Sequence, residues 1–421
     1  MKIAFLIHNA YEIGGTIRTV VNLANELSGR HEVEVASVFR HREEPRFRLD
    51  PRVRLTPLVD LRADREAGHV AETGASRLFP ACEGRYPQYS KLTDRRITAW
   101  FAGVDAEVVI GTRPGLNVML ARYGPRRAAR IGQEHLTLQG HRAPLRARLR
   151  SSYRLLDALV TVTEADASAY RSRMPFLRVV AVPNSVPAPR VPLSDGTSKV
   201  VVAGRFTPGK RFDRLVDAFA TVVRERPDWK LKIYGGGRTL ETIRQRIAHH
   251  SLHDSVLLMG MHASMEQAWA DASIAAVSSV EESFGMTIVE AMRCGVPVVS
   301  TDCPLGPREI IRHGRDGLLV PVDDTEALAE ALLRLVGDDQ QRLLMARSAR
   351  ERGSEFDPAV VAHRHEALLQ ELVHCRRSAP MDRGLRRRLT STRTAVCCGI
   401  AEYTFRAARR VKRTVSRLRL K

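Results

Sequence analysis

Short runs of apolar, often β-branched residues alternate with helix-like segments along most of the chain. The runs are mostly continuous rather than alternating, which is typical of strands buried on both faces of a parallel sheet. The segments between them place apolar residues on one helical face, as residues 326–336 do. The predicted strands are residues 2–8, 33–38, 106–111, 130–133, 159–163, 179–182, 199–203, 230–234, 256–259, 274–278, 296–301 and 318–321.

The strand–helix series runs twice, and a proline-rich segment separates the halves. Residues 183–196 contain four prolines and a glycine among polar residues, which suits an interdomain linker. We expect an α/β protein with two doubly wound parallel-sheet domains, residues 1–190 and 197–357. Ligands of such sheets bind beyond the carboxyl ends of the strands, so two facing domains would form a cleft. A last helix, residues 358–375, is expected to return toward the N-terminal domain.

The composition is that of a folded soluble protein, with 44% hydrophobic and 27% charged residues in 421. No apolar run approaches the eighteen or so residues of a membrane-spanning helix. The apolar run after Lys2 is too short for a signal peptide, so we expect a cytoplasmic protein. The six cysteines never form a C-x-x-C pair, which indicates neither a zinc site nor a disulfide framework.

The net charge of +20 is concentrated in a tail, residues 376–421, which holds 15 basic and 2 acidic residues. Within residues 400–421, apolar positions recur every three or four residues and arginines fill most of the remainder. This pattern predicts a basic amphipathic helix that lies on an anionic membrane surface. The alternatives are packing against the first domain or a solvated tail without a fixed partner. A nucleic-acid partner is not expected, because aromatic residues are only 5% and no RNP, KH or zinc-finger pattern occurs.

The largest group of candidate functional residues follows the predicted strand at residues 274–278. A loop carries Glu282, a helix is predicted to begin near Phe284, and Glu290 lies about two turns into it. The free N–H groups at a helix start favour a phosphate, and a carboxylate at Glu290 could hydrogen-bond the hydroxyls of a ribose. The alternative is that Glu282 caps the helix and Glu290 is a surface residue.

Arg205 and Lys210 lie five residues apart across a Gly/Pro turn at the end of the strand that opens the second domain. Both can reach one anion, so together they could hold a diphosphate and neutralise it as it leaves. The segment also matches most of a Walker A phosphate loop. It fails at Arg211, where Ser or Thr must bind magnesium, which argues against a nucleoside triphosphatase.

Two candidates lie in the first half of the chain. Gly15 follows Gly14 at the start of the first predicted helix, where a glycine lets the backbone approach a ligand, although such a pair is often only a turn. His135 follows a predicted strand. A lone histidine is more often structural, but a position at the end of a strand favours a functional one.

Together these motifs resemble those of the retaining glycosyltransferases of family 4. Seven residues lie between Glu282 and Glu290, and Ala-Met-x-x-Gly-x-Pro-Val-Val follows directly. The resemblance covers about residues 1–375. The sequence departs from the family at Ser283, where glycine is usual, and in the basic tail. The other matching motifs are Gly14-Gly15, Pro183-Asn184, Gly204-Arg205 with Lys210, and Gly314-x-x-Gly317-Leu-Leu-Val.

The resemblance implies a GT-B fold, a nucleotide diphosphate sugar as donor, no required metal or cofactor, and retention at the anomeric carbon. UDP is the first choice of nucleotide and GDP the second. The implied roles are Glu290 on the ribose, Arg205 and Lys210 on the diphosphate, Glu282 on the donor sugar, His135 near the reacting carbon, Gly15 near the phosphate or acceptor, and the backbone N–H groups of Phe284, Gly285, Met286 and Thr287 on the sugar and phosphate.

The implied acceptor is a glycan, a lipid-linked sugar or a cell-envelope polymer. The segment from Cys303 to Ile311 resembles a subset of the family that transfers to such acceptors. With the predicted tail helix, this gives an enzyme attached peripherally to the inner face of the cell membrane. A GT-B epimerase or phosphorylase is the alternative, with a nucleic-acid-binding protein as a remote one. The choice between a leaving phosphate that takes the acceptor's proton and a double displacement stays open.

Overall fold

The computed structural model describes residues 1–62, 74–191, 198–262 and 264–378. The described residues form two compact units, of which the first contains residues up to Val182 together with 362–378, and the second the residues between Pro183 and Val361. The predicted tail helix, residues 400–421, and the end of the predicted linker lie outside the described residues. No helix in the described ranges is long and apolar enough to cross a membrane.

The first unit is built on a seven-stranded parallel sheet with the order β3-β2-β1-β4-β5-β6-β7. The interior strand that contains Phe5 is buried along almost its whole length, and Phe5 lies beside Val35 on one side and Ile110 on the other. Such burial explains the continuous apolar runs. The strands are β1 (Lys2–Ile7), β2 (Glu32–Arg40), β3 (Arg54–Asp60), β4 (Val108–Gly111), β5 (Ala129–Glu134), β6 (Ala158–Thr161) and β7 (Val179–Ala181).

The helices of the first unit cover this sheet through their apolar sides. The start of α2 is fixed by a capping box, in which Ser90 and Thr93 each satisfy the other's backbone N–H. The helices are α1 (Gly15–Ser28), α2 (Lys91–Gly103), α3 (Pro114–Tyr123), α4 (Ala143–Tyr153) and α5 (Glu164–Arg173), with a short 3₁₀ turn at Tyr86–Gln88.

The second unit has a six-stranded parallel sheet with the order β10-β9-β8-β11-β12-β13. Its helices are α6 (Phe212–Glu225), α7 (Leu240–His249), α8 (Glu266–Ala270), α9 (Met286–Arg293), α10 (Pro307–Ile310), α11 (Thr325–Gly337) and α12 (Asp339–Ser354). Its strands are β8 (Lys199–Arg205), β9 (Lys230–Gly236), β10 (Val256–Gly260), β11 (Ile274–Val277), β12 (Val298–Thr301) and β13 (Gly317–Val320). The two sheets confirm the predicted doubly wound α/β architecture.

The last helix, α13 (Pro358–Ser378), extends three residues into the segment predicted as tail, and its residues from Ala362 on belong to the first unit. Glu366 accepts hydrogen bonds from Arg30 (2.8 Å) and His31 (2.7 Å). Near the helix end, Arg376 donates to Asp157 at 2.9 Å and Arg377 pairs with Glu107. Two cations of the predicted tail therefore form ion pairs within the folded first unit.

Candidate functional site

The loops after β8 and β11 are joined at the carboxyl edge of the second sheet. The Ser278 hydroxyl donates to the carbonyl oxygen of Lys210 at 2.8 Å, and the Val280 amide donates to that of Gly209 at 2.9 Å. These bonds hold the short 3₁₀ turn Pro208–Lys210 against the start of the loop that follows β11 and carries Glu282. The structure thus brings Lys210 and Glu282 to one place, although 72 residues separate them in sequence.

Lys210 and Glu282 form an ion pair, with 2.5 Å between Nζ and Oε1. The Ser279 hydroxyl also donates to the same carboxylate oxygen, at 2.8 Å. Helix α9 begins without a side-chain cap, so the interpretation of Glu282 as a capping residue is wrong. Arg205, the last residue of β8, is exposed and forms no ion pair with a described residue.

Glycines at the end of β9 and directly after it allow the backbone to pack closely against the end of β8. Gly235 has φ +145°, and a Cβ there would lie 1.9 Å from the carbonyl oxygen of Gly204. Gly237 has φ +149° and would meet the backbone of Phe206. The structure shows that only glycine fits, and that this segment supports the strand end that carries Arg205.

The helix start predicted near Phe284 lies at Met286, two residues later. Gly285 precedes it in the left-handed region, at φ +108°. Phe284 is buried and packs edge-on against Phe356, with 5.9 Å between ring centroids. The amides of Met286 and Thr287 belong to the first helical turn and have no intrahelical acceptor, so they can bind an anion.

A second glycine holds the segment before α9 in place. Gly306 has φ +91°, and a Cβ there would lie 1.9 Å from the Phe284 carbonyl oxygen. The loop after β12 therefore lies directly against the backbone at Phe284. Cys303 in this loop is buried, and burial together with the nearby Glu282 raises its pKa to about 12. Its thiol is therefore protonated near pH 7.

Glu290 lies one turn from the end of α9 and is half-buried. The indole N–H of Trp269, on the neighbouring helix α8, donates to Glu290 Oε2 at 3.3 Å. Trp269 is only 1% exposed. The surface interpretation of Glu290 is therefore wrong. Sequence reasoning missed Trp269, because its only signal was a rare residue type in an unremarkable segment.

Two predicted site residues lie in the first unit, each after a strand of its sheet. His135 follows β5 directly and is half-buried. Gly15 opens α1, and Gly14 before it has extended backbone that any residue could adopt. A Cβ at Gly14 would meet only Ile17, at an ordinary 3.8 Å. Neither backbone conformation nor protein packing therefore demands glycine at position 14.

Beside His135 lies a buried polar cluster that sequence reasoning missed. The Glu134 carboxylate, 1% exposed, accepts hydrogen bonds from the Tyr153 hydroxyl and, at 3.0 Å, from Asn117 Nδ2. His141 lies 3.6 Å away. Burial alone would lower the pKa of His141, but the hydrogen bond and charge of Glu134 outweigh it and raise that pKa. This cluster anchors both ends of the loop that carries His135.

Another missed residue, His8, follows β1 directly and bonds to the Tyr89 hydroxyl across 2.8 Å. Burial, with the charges of Arg113 and Arg85, lowers the pKa of His8 to about 3. The imidazole is therefore neutral at pH 7. Among the described residues, no group of three or more His, Cys, Asp or Glu side chains is arranged to hold a metal ion.

The chain is similar in sequence to several known proteins. Residues 197–338 match the family described as "Glycosyl transferases group 1". An exopolysaccharide phosphotransferase of Streptomyces coelicolor is 36% identical over 89% of this chain and 41% of its own length. An N-acetyl-alpha-D-glucosaminyl L-malate synthase of Bacillus anthracis is 31% identical over 43% of this chain and 47% of its own. The chain therefore spans less than half the length of either relative.

Among solved structures, TarM of S. aureus, crystallised with UDP, fondaparinux and alpha-GlcNAc-glycerol, has a TM-score of 0.70. It is 16% identical, and the match covers 88% of this chain and 100% of that one. A likeness at this identity shows the fold. The chain has the GT-B fold, and its sequence matches support a GT-B glycosyltransferase family.

Proposed function

We propose that the protein is a retaining glycosyltransferase that moves a hexose or N-acetylhexosamine from a nucleotide diphosphate sugar, preferably a UDP-sugar, to a cell-envelope glycan or polymer. The observation that carries this proposal is the Lys210–Glu282 ion pair, which lies in sequence five residues after Arg205 and four residues before the start of α9. Two cations and a helix start form an anion site, and a carboxylate beside them suits a sugar's hydroxyls.

When the donor binds, Lys210 and Glu282 would each contact a different group of the donor. An ammonium group has three N–H donors, so Lys210 can hold a phosphate oxygen while it still contacts Glu282. Arg205, exposed and without a described ion pair, would bind the diphosphate from the other side. Glu282 would then accept a hydrogen bond from a donor-sugar hydroxyl, and Glu290, held by Trp269, would bind the ribose.

The proposed catalysis is the stabilisation of a leaving group in a fixed geometry. In the route without a covalent intermediate, the acceptor oxygen would bond to the anomeric carbon as that carbon's bond to the phosphate oxygen breaks. The electron pair would leave with the nucleotide diphosphate, and the leaving phosphate oxygen would take the acceptor's proton. Arg205, Lys210 and the first amides of α9 would stabilise the charge that grows on the diphosphate. His135 and Gly15, in the first unit, keep their predicted roles near the reacting carbon and the phosphate or acceptor.

Metal-independent transfer follows from this proposal. Two side-chain cations would occupy the place that a divalent ion takes in metal-dependent transferases. We expect activity to persist in EDTA. Loss of activity with chelator and its return with Mg²⁺ or Mn²⁺ would contradict the proposed role of Arg205 and Lys210.

The acceptor is proposed from the family resemblance and from the relatives. One relative is named for exopolysaccharide, and TarM was crystallised with a glycerol-linked GlcNAc. We also propose peripheral membrane attachment through residues 400–421. A chain that ends at Ser378 keeps the ion pairs of Arg376 and Arg377, so it should bind donor yet no longer sediment with anionic vesicles. Equal sedimentation of the two chains would contradict this attachment.

The experiment that tests the function is a panel of UDP- and GDP-sugars, with nucleotide release measured with and without membrane-derived acceptor. A glycosyltransferase releases nucleotide in proportion to labelled sugar incorporated into the acceptor. An epimerase would convert the donor without releasing nucleotide, and a phosphorylase would require phosphate. Either pattern would replace the proposal.

A further inference from the structure

The loop after β5 and helix α4 form a segment with no acidic side chain. Residues 135–156 contain five arginines and neither aspartate nor glutamate. Four of these arginines recur every fourth residue from the N-cap of α4 to its C-cap, at Arg142, Arg146, Arg150 and Arg154. We call these four the arginine row. Neighbouring members lie about 6 Å apart on a helix surface, and the row spans roughly 18 Å.

Burial determines which side of α4 faces solvent. Leu145, Leu149 and Tyr153 are at most 5% exposed and pack into the core of the first unit. Arg142 and Arg150 are exposed, and Arg146 is half-buried. The helix is therefore fixed by its apolar side and presents the row to the surface.

Three of the four charges of this row, those nearest its N-terminal end, are not neutralised within the part of the chain that the structure describes. Arg142, Arg146 and Arg150 form no ion pair with any carboxylate of the described residues. Arg146 donates instead to the backbone carbonyl of Gln139, at 3.3 Å, and to that of His141. The other exposed residues of the helix start are small, Ala143, Pro144 and Ala147, so an extended ligand can lie against the backbone between the guanidinium groups.

The row begins at the carboxyl edge of the first unit's sheet, the edge at which His135 is proposed to act. Strands β5 and β6 are parallel, so the helix between them begins at their carboxyl edge and runs back. Arg142, at the start of the row, thus lies at the same edge as the loop that carries His135. A ligand on the row is continuous with that edge.

We propose that the arginine row binds an acceptor polymer whose repeating units are joined by phosphodiesters. This inference rests on the proposed transferase function and names its acceptor class. Guanidinium groups bind the two free oxygens of a phosphodiester in a bidentate fork, and a row one residue wide suits a single chain. A flat bilayer would instead favour bulky apolar side chains between the arginines, whereas here alanine and proline occupy those positions.

The test compares two double variants of the full chain, Arg142→Gln with Arg150→Gln, and Arg95→Gln with Arg173→Gln. All four arginines are exposed on helices or helix caps of the first unit, and each pair removes the same charge. Binding is measured by affinity electrophoresis in gels that contain inorganic polyphosphate, polygalacturonate or dextran. Because the basic tail is unchanged in both variants, any difference between them reports on the substituted residues.

We expect the row variant to bind polyphosphate at least tenfold more weakly than the control pair at low salt, with dextran inert. Equal polyphosphate binding by both variants would overturn the proposal, and an equal loss of polygalacturonate binding would contradict the phosphate assignment. If only sedimentation with anionic vesicles changes, the row is a membrane contact instead. None of these readouts requires catalysis, so they remain informative if no donor is turned over.

Discussion

The indole N–H of Trp269 donates a 3.3 Å hydrogen bond to the carboxylate of Glu290. Because Trp269 is buried, this bond restricts the orientation of the Glu290 carboxylate. A carboxylate held in this way loses less conformational freedom when it binds the two hydroxyls of a ribose. Trp269 would thus preorganise the proposed ribose contact without touching the donor itself.

Replacement of Trp269 by phenylalanine keeps a buried aromatic ring but removes the donor. We expect KM for the donor to rise about fivefold, equivalent to about 1 kcal/mol, with kcat little changed. Steady-state kinetics over a donor series measures this split. Trp229→Phe is the control, because Trp229 is equally buried and its ring packs under Arg342 instead. Similar KM changes in both variants would mean that Trp269 acts only through packing.

Removal of either proposed diphosphate cation should slow turnover more than it weakens binding. Arg205→Ala or Lys210→Ala is expected to lower kcat about a hundredfold, which corresponds to about 3 kcal/mol. Arg224→Ala, which removes an exposed arginine of α6, should leave kcat unchanged. Wild-type turnover in both cation variants would show that the diphosphate binds elsewhere.

Gly306 and Gly314 offer a matched test of the loop that closes over Phe284. Both have positive φ, but a Cβ at Gly306 would meet the Phe284 carbonyl, whereas one at Gly314 would meet nothing within 4 Å. We expect Gly314→Ala to cost about 1 kcal/mol of unfolding free energy through backbone strain alone. Gly306→Ala should cost about 3 kcal/mol and weaken donor binding as well. Equal costs in chemical denaturation would contradict the close contact.

The buried neutral His8 makes stability depend on pH. Its pKa falls from 6.5 to about 3 on folding, so between these values the unfolded chain binds a proton that the folded chain does not. Its contribution is fully present above pH 6.5 and decreases as the pH falls toward 3. Between pH 7 and pH 5 the loss is about 2 kcal/mol.

The variant His8→Gln removes this titration, so its unfolding free energy should decrease less than that of the wild type between pH 7 and pH 5. Denaturant unfolding at both pH values measures the difference. The carboxylates are common to both chains and cancel in the comparison. An identical decrease in the two proteins would show that His8 is protonated in the folded state or exposed.

The sequence predicted the architecture because buried parallel strands leave continuous apolar runs. It missed β3, where Pro57 and charged residues interrupt the pattern, because β3 is an edge strand and an edge tolerates proline. The motif residues were found individually. Their pairing was not, since the contact between Lys210 and Glu282 depends on two loops brought together by neighbouring strands.

The glycines also make contacts that the sequence alone does not predict. Gly235 and Gly306 look like ordinary turn residues in the sequence, and only the structure shows the carbonyl oxygens that would lie 1.9 Å from a Cβ at either position. Likewise, nothing in the sequence places Trp269 beside Glu290. Contacts between residues on different elements can be identified only from the fold, whereas strands can be predicted from the pattern of apolar residues in the sequence.

The central claim is transfer of a sugar with retention from a nucleotide diphosphate sugar. The most direct measurement is proton NMR of the product formed from a UDP-sugar with an α-linked donor, together with the amount of UDP released. We predict an α-linked product, one UDP per sugar transferred, and loss of both signals in the Arg205→Ala and Lys210→Ala variants. A β-linked product would contradict the retaining mechanism, and donor conversion without UDP release would contradict glycosyl transfer itself.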